Sequence, residues 1–235
     1  MGRERFQGLF AGCSALALAA LLAVAGPVPQ ALGQAAVSGA DPTAMPQTAT
    51  PQEDYRLRGF RSARFGMDEE AVRAAIAADF GLVGEDVQVG DNTVERTRVL
   101  SVRVAELLPD SGVSQVSYIL GYRSRALIQV GVLWSEATDP EITPAMLVAN
   151  GDVLRAHFLA AGYQPDTVTT DLVLEDGVLL FRGADPDGHT AILLMQGRFT
   201  EAAAGRASLT PESLTLLYAQ DPDSPDILSL EEGSF

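Results

Sequence analysis

The densest group of polar side chains in the chain is Asp185-Pro186-Asp187-Gly188-His189. Two carboxylates and an imidazole within one short run are donors that a divalent cation uses. Oxygen donors suit calcium, but calcium takes about six to eight of them, more than one short loop supplies. The same residues also spell a tight turn, because Asp-Pro initiates turns and Gly accepts left-handed backbone. A hairpin between two strands therefore accounts for every one of them. His157 and His189 are the two histidines. A Ser/His/Asp hydrolase would have to use one of them, yet no serine stands in a Gly-x-Ser-x-Gly elbow. The His-Glu-x-x-His, Walker and Gly-x-Gly-x-x-Gly signatures are missing as well. Glu106, Asp110, Glu175 and Asp176 make a glycosidase pair only if folding brings two of them across a cleft and burial raises one pKa. With 31 acidic residues in the chain, solvated surface is the better explanation of them.

Tyr118, Tyr122 and Trp134 form a second group, of one parity on two adjacent strand-like runs. Exposed, they would make an aromatic patch suited to a partner protein or a sugar. Buried, they would be core. Val116, Leu120, Ile128, Val130 and Val132 share their parity, which points to the core.

The elements that must position these residues begin at Phe60. Residues 60–65 read as a strand that runs into a helix starting at Asp68, whose side chain suits an N-cap. Glu69 and Glu70 place negative charge at the positive end of the helix dipole, and Gly81 supplies a left-handed stop. Val72, Ile76 and Phe80 then share one face. Residues 83–96 mix Gly, Asp and Asn with isolated valines and read as a loop. Beyond them alternation sets in: Leu100, Val102 and Val104, then Val116 to Tyr122 after the Pro109-Asp110-Ser111-Gly112 turn, then Ile128 to Trp134. This is a meander of three antiparallel strands. Thr143-Pro144 opens a second helix and Gly162 closes it, with Leu147, Leu154, Phe158 and Ala161 on one face. Strands follow at 167–174, 178–183 and 190–199, joined by Asp-Gly turns. Residues 200–211 read as a loop, and 213–220 as the last strand. The expected fold class is α+β: antiparallel meander sheet with two helices on one face, and a possible tandem α-β-β-β repeat over 55–136 and 137–220.

The ends carry a different composition. Residues 9–25 are an uncharged, apolar, Ala/Leu-rich run after Arg3 and Arg5, followed by small residues at Gly33, Ala35 and Ala36. This pattern reads as a Sec-type signal peptide over 1–35, cut after Ala35 or, as a second choice, after Ala25, with an uncleaved anchor as the competing reading. Residues 36–54 read as a disordered linker and 221–235 as an acidic mobile tail. Cys13 is the one cysteine and lies inside the leader, so disulfides and thiolate chemistry are excluded from an exported chain. The net charge is −15, and removing the leader with Arg3, Arg5 and Glu4 makes it more acidic still. Nucleic acid and anionic lipid surfaces are therefore excluded as general partners.

Phe65-Gly66-Met67-Asp68, then Val72 and an Ala-rich helix before a meander, resembles the opening helix of small bacterial envelope proteins. Among these is the small lipoprotein of the outer-membrane β-barrel assembly machinery. The tandem helix-plus-meander order is similar to that of proteinaceous β-lactamase inhibitors. The resemblance implies a non-enzymatic protein-binding module without a cofactor. The expectation is thus a periplasmic or secreted α+β protein that binds another envelope or secreted protein. The alternative is a small-ligand or divalent-cation binder using Asp185, Asp187 and His189, and a hydrolase assembled from distant residues stays open.

Overall fold

The computed structural model describes residues 55–202 and 206–229. The expected signal peptide, the linker and residues 230–235 lie outside the described residues. Two helices and two sheets make an α+β fold. β1 (Gly59–Phe60) and β2 (Ala63–Arg64) form a small hairpin, followed by α1 (Glu69–Phe80). Four strands come next: β3 (Gln88–Asp91), β4 (Arg98–Val104), β5 (Ser114–Leu120) and β6 (Leu127–Ser135). α2 (Pro144–Ala161) is followed by four more: β7 (Leu172–Val173), β8 (Gly177–Ala184), β9 (Thr190–Ala202) and β10 (Arg206–Ala219).

The large sheet is wholly antiparallel, in the order β3-β4-β5-β6-β10-β9-β8-β7. Read from either edge toward the centre, it is one helix-led run of four strands. The two runs join through their last members, β6 and β10. The expected repeat unit therefore has four strands.

Both helices begin and end where their caps place them. Asp68 accepts from the Ala71 amide at 2.9 Å, and Thr143 accepts from Met146. Gly81 and Gly162 close the helices in left-handed backbone. α1 buries Val72, Ala75 and Ile76, and Glu69 ties it to the sheet through Arg98 at 2.6 Å. Partial burial would raise the Glu69 pKa, but the paired Arg73 and Arg98 outweigh it and hold the carboxyl below its ordinary value. α2 buries Leu147, Asn150, Gly151, Leu154 and Phe158. The sheet face beneath carries Val102, Val116, Val132, Leu216, Leu193 and Phe181 in one cross-strand row. All six belong to a single core with both helices.

Five expectations differ from the structure. The strand expected at 60–65 is the β1–β2 hairpin, turned by Arg61 in left-handed backbone and pinned where Asp79 accepts from the Ser62 amide at 3.0 Å. The loop expected at 83–96 contains β3, an edge strand too exposed to show alternation. The strand expected at 167–174 shrinks to β7, because Pro165–Thr167 forms a 3-10 turn and Asp171 takes positive φ. The loop expected at 200–211 belongs to the long β9–β10 hairpin. Pro211 is tolerated there because the register shifts between Pro211 and Ser213. Opposite it, a Cβ on Gly197 would meet the Thr210 carbonyl oxygen at 2.1 Å, so that position must be glycine. The fifth difference is at Ile128. A bulge pairs Leu120 with Leu127, so Leu127 enters the core and Ile128 leaves it.

Candidate functional site

The Asp185 cluster is the β8–β9 turn. Asp185 is 1% exposed, and its two carboxylate oxygens are engaged by backbone amides. Oδ1 accepts from Asp187 and His189, each at 2.9 Å, while Oδ2 accepts from Leu57 at 2.8 Å. Arg56 reaches Asp187 at 2.6 Å. The cluster is thus a clasp that fastens the start of the folded domain onto the turn. Asp185, Asp187 and His189 do place ligand atoms within 4.8 Å of one another. His189 Nδ1 lies 3.3 Å from Asp185 Oδ2 but outside hydrogen-bonding geometry. Beside the clasp, Asp187, His189, Asp221 and Asp223 line an open cleft of about 420 Å³.

Of the aromatic group, Tyr118 and Trp134 are fully buried core residues. Burial pushes the Tyr118 phenol up from its ordinary pKa. Tyr122 is half-buried at the β5–β6 turn, where its amide donates to the Asp226 carbonyl at 2.7 Å. The three do not make an exposed patch. The glycosidase carboxylates do not converge either. Glu106 and Asp110 sit on the β4–β5 turn and Glu175 and Asp176 on the β7–β8 turn. β6, β10 and β9 lie between β5 and β8, which sets the two turns about 19 Å apart. His157 is exposed on α2, where its ring meets Phe158 edge-on.

Two surfaces emerge that the sequence did not single out. The first is apolar. Among the described residues, seven large apolar side chains are exposed, and five of them, Val148, Val153, Leu159, Leu172 and Val173, lie on α2 and β7. Val173 is 66% exposed and Leu159 51%. Arg155 pairs with Asp171, next to β7, so the flank of α2 that carries Arg155 faces that edge of the sheet. Val148 and Leu159 share that flank, seven residues before and four after Arg155. Asp152 on α2, and Asp171, Glu175 and Asp176 flanking β7, supply exposed acidic groups nearby. The signal for this surface was the apolar surplus of α2, whose Val148, Val153 and Leu159 fall off the stripe of Leu147, Leu154 and Phe158. The second surface is an open cleft of about 640 Å³ on the β3–β4 and β5–β6 turns, lined by Asp91, Asn92, Thr93, Arg96, Arg98 and Arg125.

The tail adjoins this second surface. Asp226 accepts from the amides of Arg123 at 3.0 Å and Ser124 at 2.8 Å, and the Leu228 amide donates to Glu95 at 2.8 Å. Residues 221–228, expected to be mobile, are therefore strapped across the turns. No helix among the described residues is long and apolar enough to cross a membrane. No protein-family model matches the chain, and neither a curated protein nor a solved structure matches it.

Proposed function

We propose that this chain is a non-enzymatic binding protein of the bacterial cell envelope, exported by its leader, whose partner is another envelope or secreted protein. The observation that carries the reading is the concentration of exposed apolar side chains on α2 and β7. Val148 and Leu159 share the flank of α2 that carries Arg155, and exposed aliphatic groups rimmed by charge suit a protein face better than a solvated ligand. The half of the chain that bears this surface is acidic, with four arginines against eleven carboxylates over residues 137–220. A complementary partner face is therefore apolar with a basic rim. The resemblance of Phe65-Gly66-Met67-Asp68 to envelope binding modules supports the same conclusion.

The test is site-specific photo-crosslinking in the native envelope. A photoreactive residue at Leu159 or Val173 is expected to give one discrete adduct. The same residue at Val83 or Val94, equally exposed but distant in the fold, is expected to give none. Equal adducts at all four positions, or none at any, would overturn the proposal.

The second reading is a divalent-cation binder, and the cleft where Asp187, His189, Asp221 and Asp223 meet favours it. A ligand at about 100 times its dissociation constant adds roughly 2.7 kcal/mol of stability. Melts with calcium, zinc and chelator then separate clearly if the cation binds, and superimposed melts remove this reading.

A further inference from the structure

The cleft on the β3–β4 and β5–β6 turns brings together two arginines from the same position of neighbouring turns. Arg96 and Arg125 both hold left-handed backbone, at φ 58° and 53°. That region costs a residue with a Cβ about 1–2 kcal/mol, and glycine or asparagine normally occupies it. Each stands just before the residue that closes its turn. The Asn92 amide donates to Thr97, and the Gly121 amide to Ala126, both at 2.8 Å. The two turns are fastened to each other, because Arg125 Nη1 donates to the Arg96 carbonyl at 3.4 Å. Arg61, Asp110 and Asp171 hold the same backbone region at other turns, so what distinguishes this hollow is that two such arginines line it together.

The neighbouring charges leave these two guanidinium groups available. Arg98, the third arginine of the cleft, is committed to Glu69 at 2.6 Å and to Asp91 at 3.5 Å. Glu95 accepts from Asn92 at 3.0 Å, and burial raises its carboxyl pKa from the ordinary value. The Asp226 carboxylate is occupied by the Arg123 and Ser124 amides. Neither Arg96 nor Arg125 has an ion pair among the described residues. Residues 55–136, which form this half, balance ten arginines against eleven carboxylates, so the strong acidity of the chain is not repeated here.

We propose that Arg96 and Arg125 grip the oxyanion of a small carboxylate- or phosphate-bearing molecule in this cleft, with Arg98 as a fixed wall. Guanidinium forks match the planar carboxylate and the phosphate edge alike. A hollow of about 640 Å³ lies in the range of small-molecule sites.

The experiment follows the melting temperature of the purified protein through titrations with citrate and with inorganic phosphate, each against sodium chloride at matched ionic strength. A saturable rise with either anion beyond the chloride control is expected. A rise with citrate alone assigns the carboxylate, and one with phosphate alone assigns the phosphate. The double variant Arg96→Gly, Arg125→Gly relieves the left-handed strain. It is therefore expected to melt higher than the parent in plain buffer while losing the anion-dependent rise. A merely structural role moves both readouts the same way. No rise beyond chloride in the parent, or a rise kept by the double variant, overturns the proposal.

Discussion

The α1 half and the α2 half of the large sheet repeat one order of elements, yet they differ in both depth and surface. α1 covers its strands with three buried residues, whereas the longer α2 uses five and includes Phe158 and Gly151. A Cβ on Gly151 would meet Leu180 Cδ1 at 2.9 Å and Met195 Cε at 3.0 Å, which shows how closely α2 lies on β8 and β9. The α1 half is nearly balanced in charge, and the α2 half is acidic and leaves Val148, Val153 and Leu159 in solvent. A helix seated that tightly has no need of apolar residues on its outer flank for folding. Val148 and Leu159, on the flank that also carries Arg155, are what the proposed docking surface of the α2 half rests on.

The largest expected effect tests whether the halves are one cooperative body. Phe158→Ala should cost about 4 kcal/mol and Ile76→Ala about 3 kcal/mol. Trp134 pairs with Leu214 at the β6–β10 junction and reports on both halves. Urea melts followed by its fluorescence and by circular dichroism should coincide for both variants. Separated transitions would mean that the halves fold independently. Next in size, Gly151→Val should cost about 2 kcal/mol by overpacking against Leu180 and Met195.

A smaller effect comes from the strap. Burial alone would raise the Asp226 pKa, but hydrogen bonds from Ser124 and Arg123 outweigh it and hold the carboxyl below its ordinary value of 3.8. The stabilisation is therefore complete above the unfolded value and is lost as the pH falls through the lower folded one. Asp226→Ala should cost about 1 kcal/mol at neutral pH. The gap between variant and parent should close below pH 3.8, as acid melts would show. The smallest effect on folding is that of Leu159→Glu, within about 0.5 kcal/mol, because the side chain touches solvent.

The comparison also shows which features were legible in the sequence. The helix ends were, since Asp68, Gly81, Thr143, Pro144 and Gly162 act through their own backbone and nearest turn. So was the meander, where Val102, Val116 and Val132 alternate cleanly. β3 was not, because an edge strand is half wet and its apolar alternation spans only Val87 and Val89 before Gly90 and Asp91. Pro211 hid the length of β10, since whether proline ends a strand or sits in a bulge depends on the opposing chain. The partners of Asp185 and Asp226 were hidden for the same reason. A carboxylate that closes on amides far along the chain, as Asp226 does on Arg123, has no local pattern. Tyr118 and Trp134 were legible as core through their parity, whereas Tyr122, of the same parity, lies half-buried in the turn. The apolar flank of α2 was present in the sequence but masked by a helix rich in Ala, Val and Leu nearly all round.

The central claim is that a partner docks on α2 and β7. Once the photo-adduct has identified that partner, its dissociation constant for three forms of the protein tests the claim most directly. These are the parent, the pair Leu159→Glu, Val173→Glu and the pair Val83→Glu, Val94→Glu. The account predicts a loss of at least about 100-fold for the first pair, about 2.7 kcal/mol, with the second pair matching the parent. Equal losses for both pairs, or none for either, would contradict it.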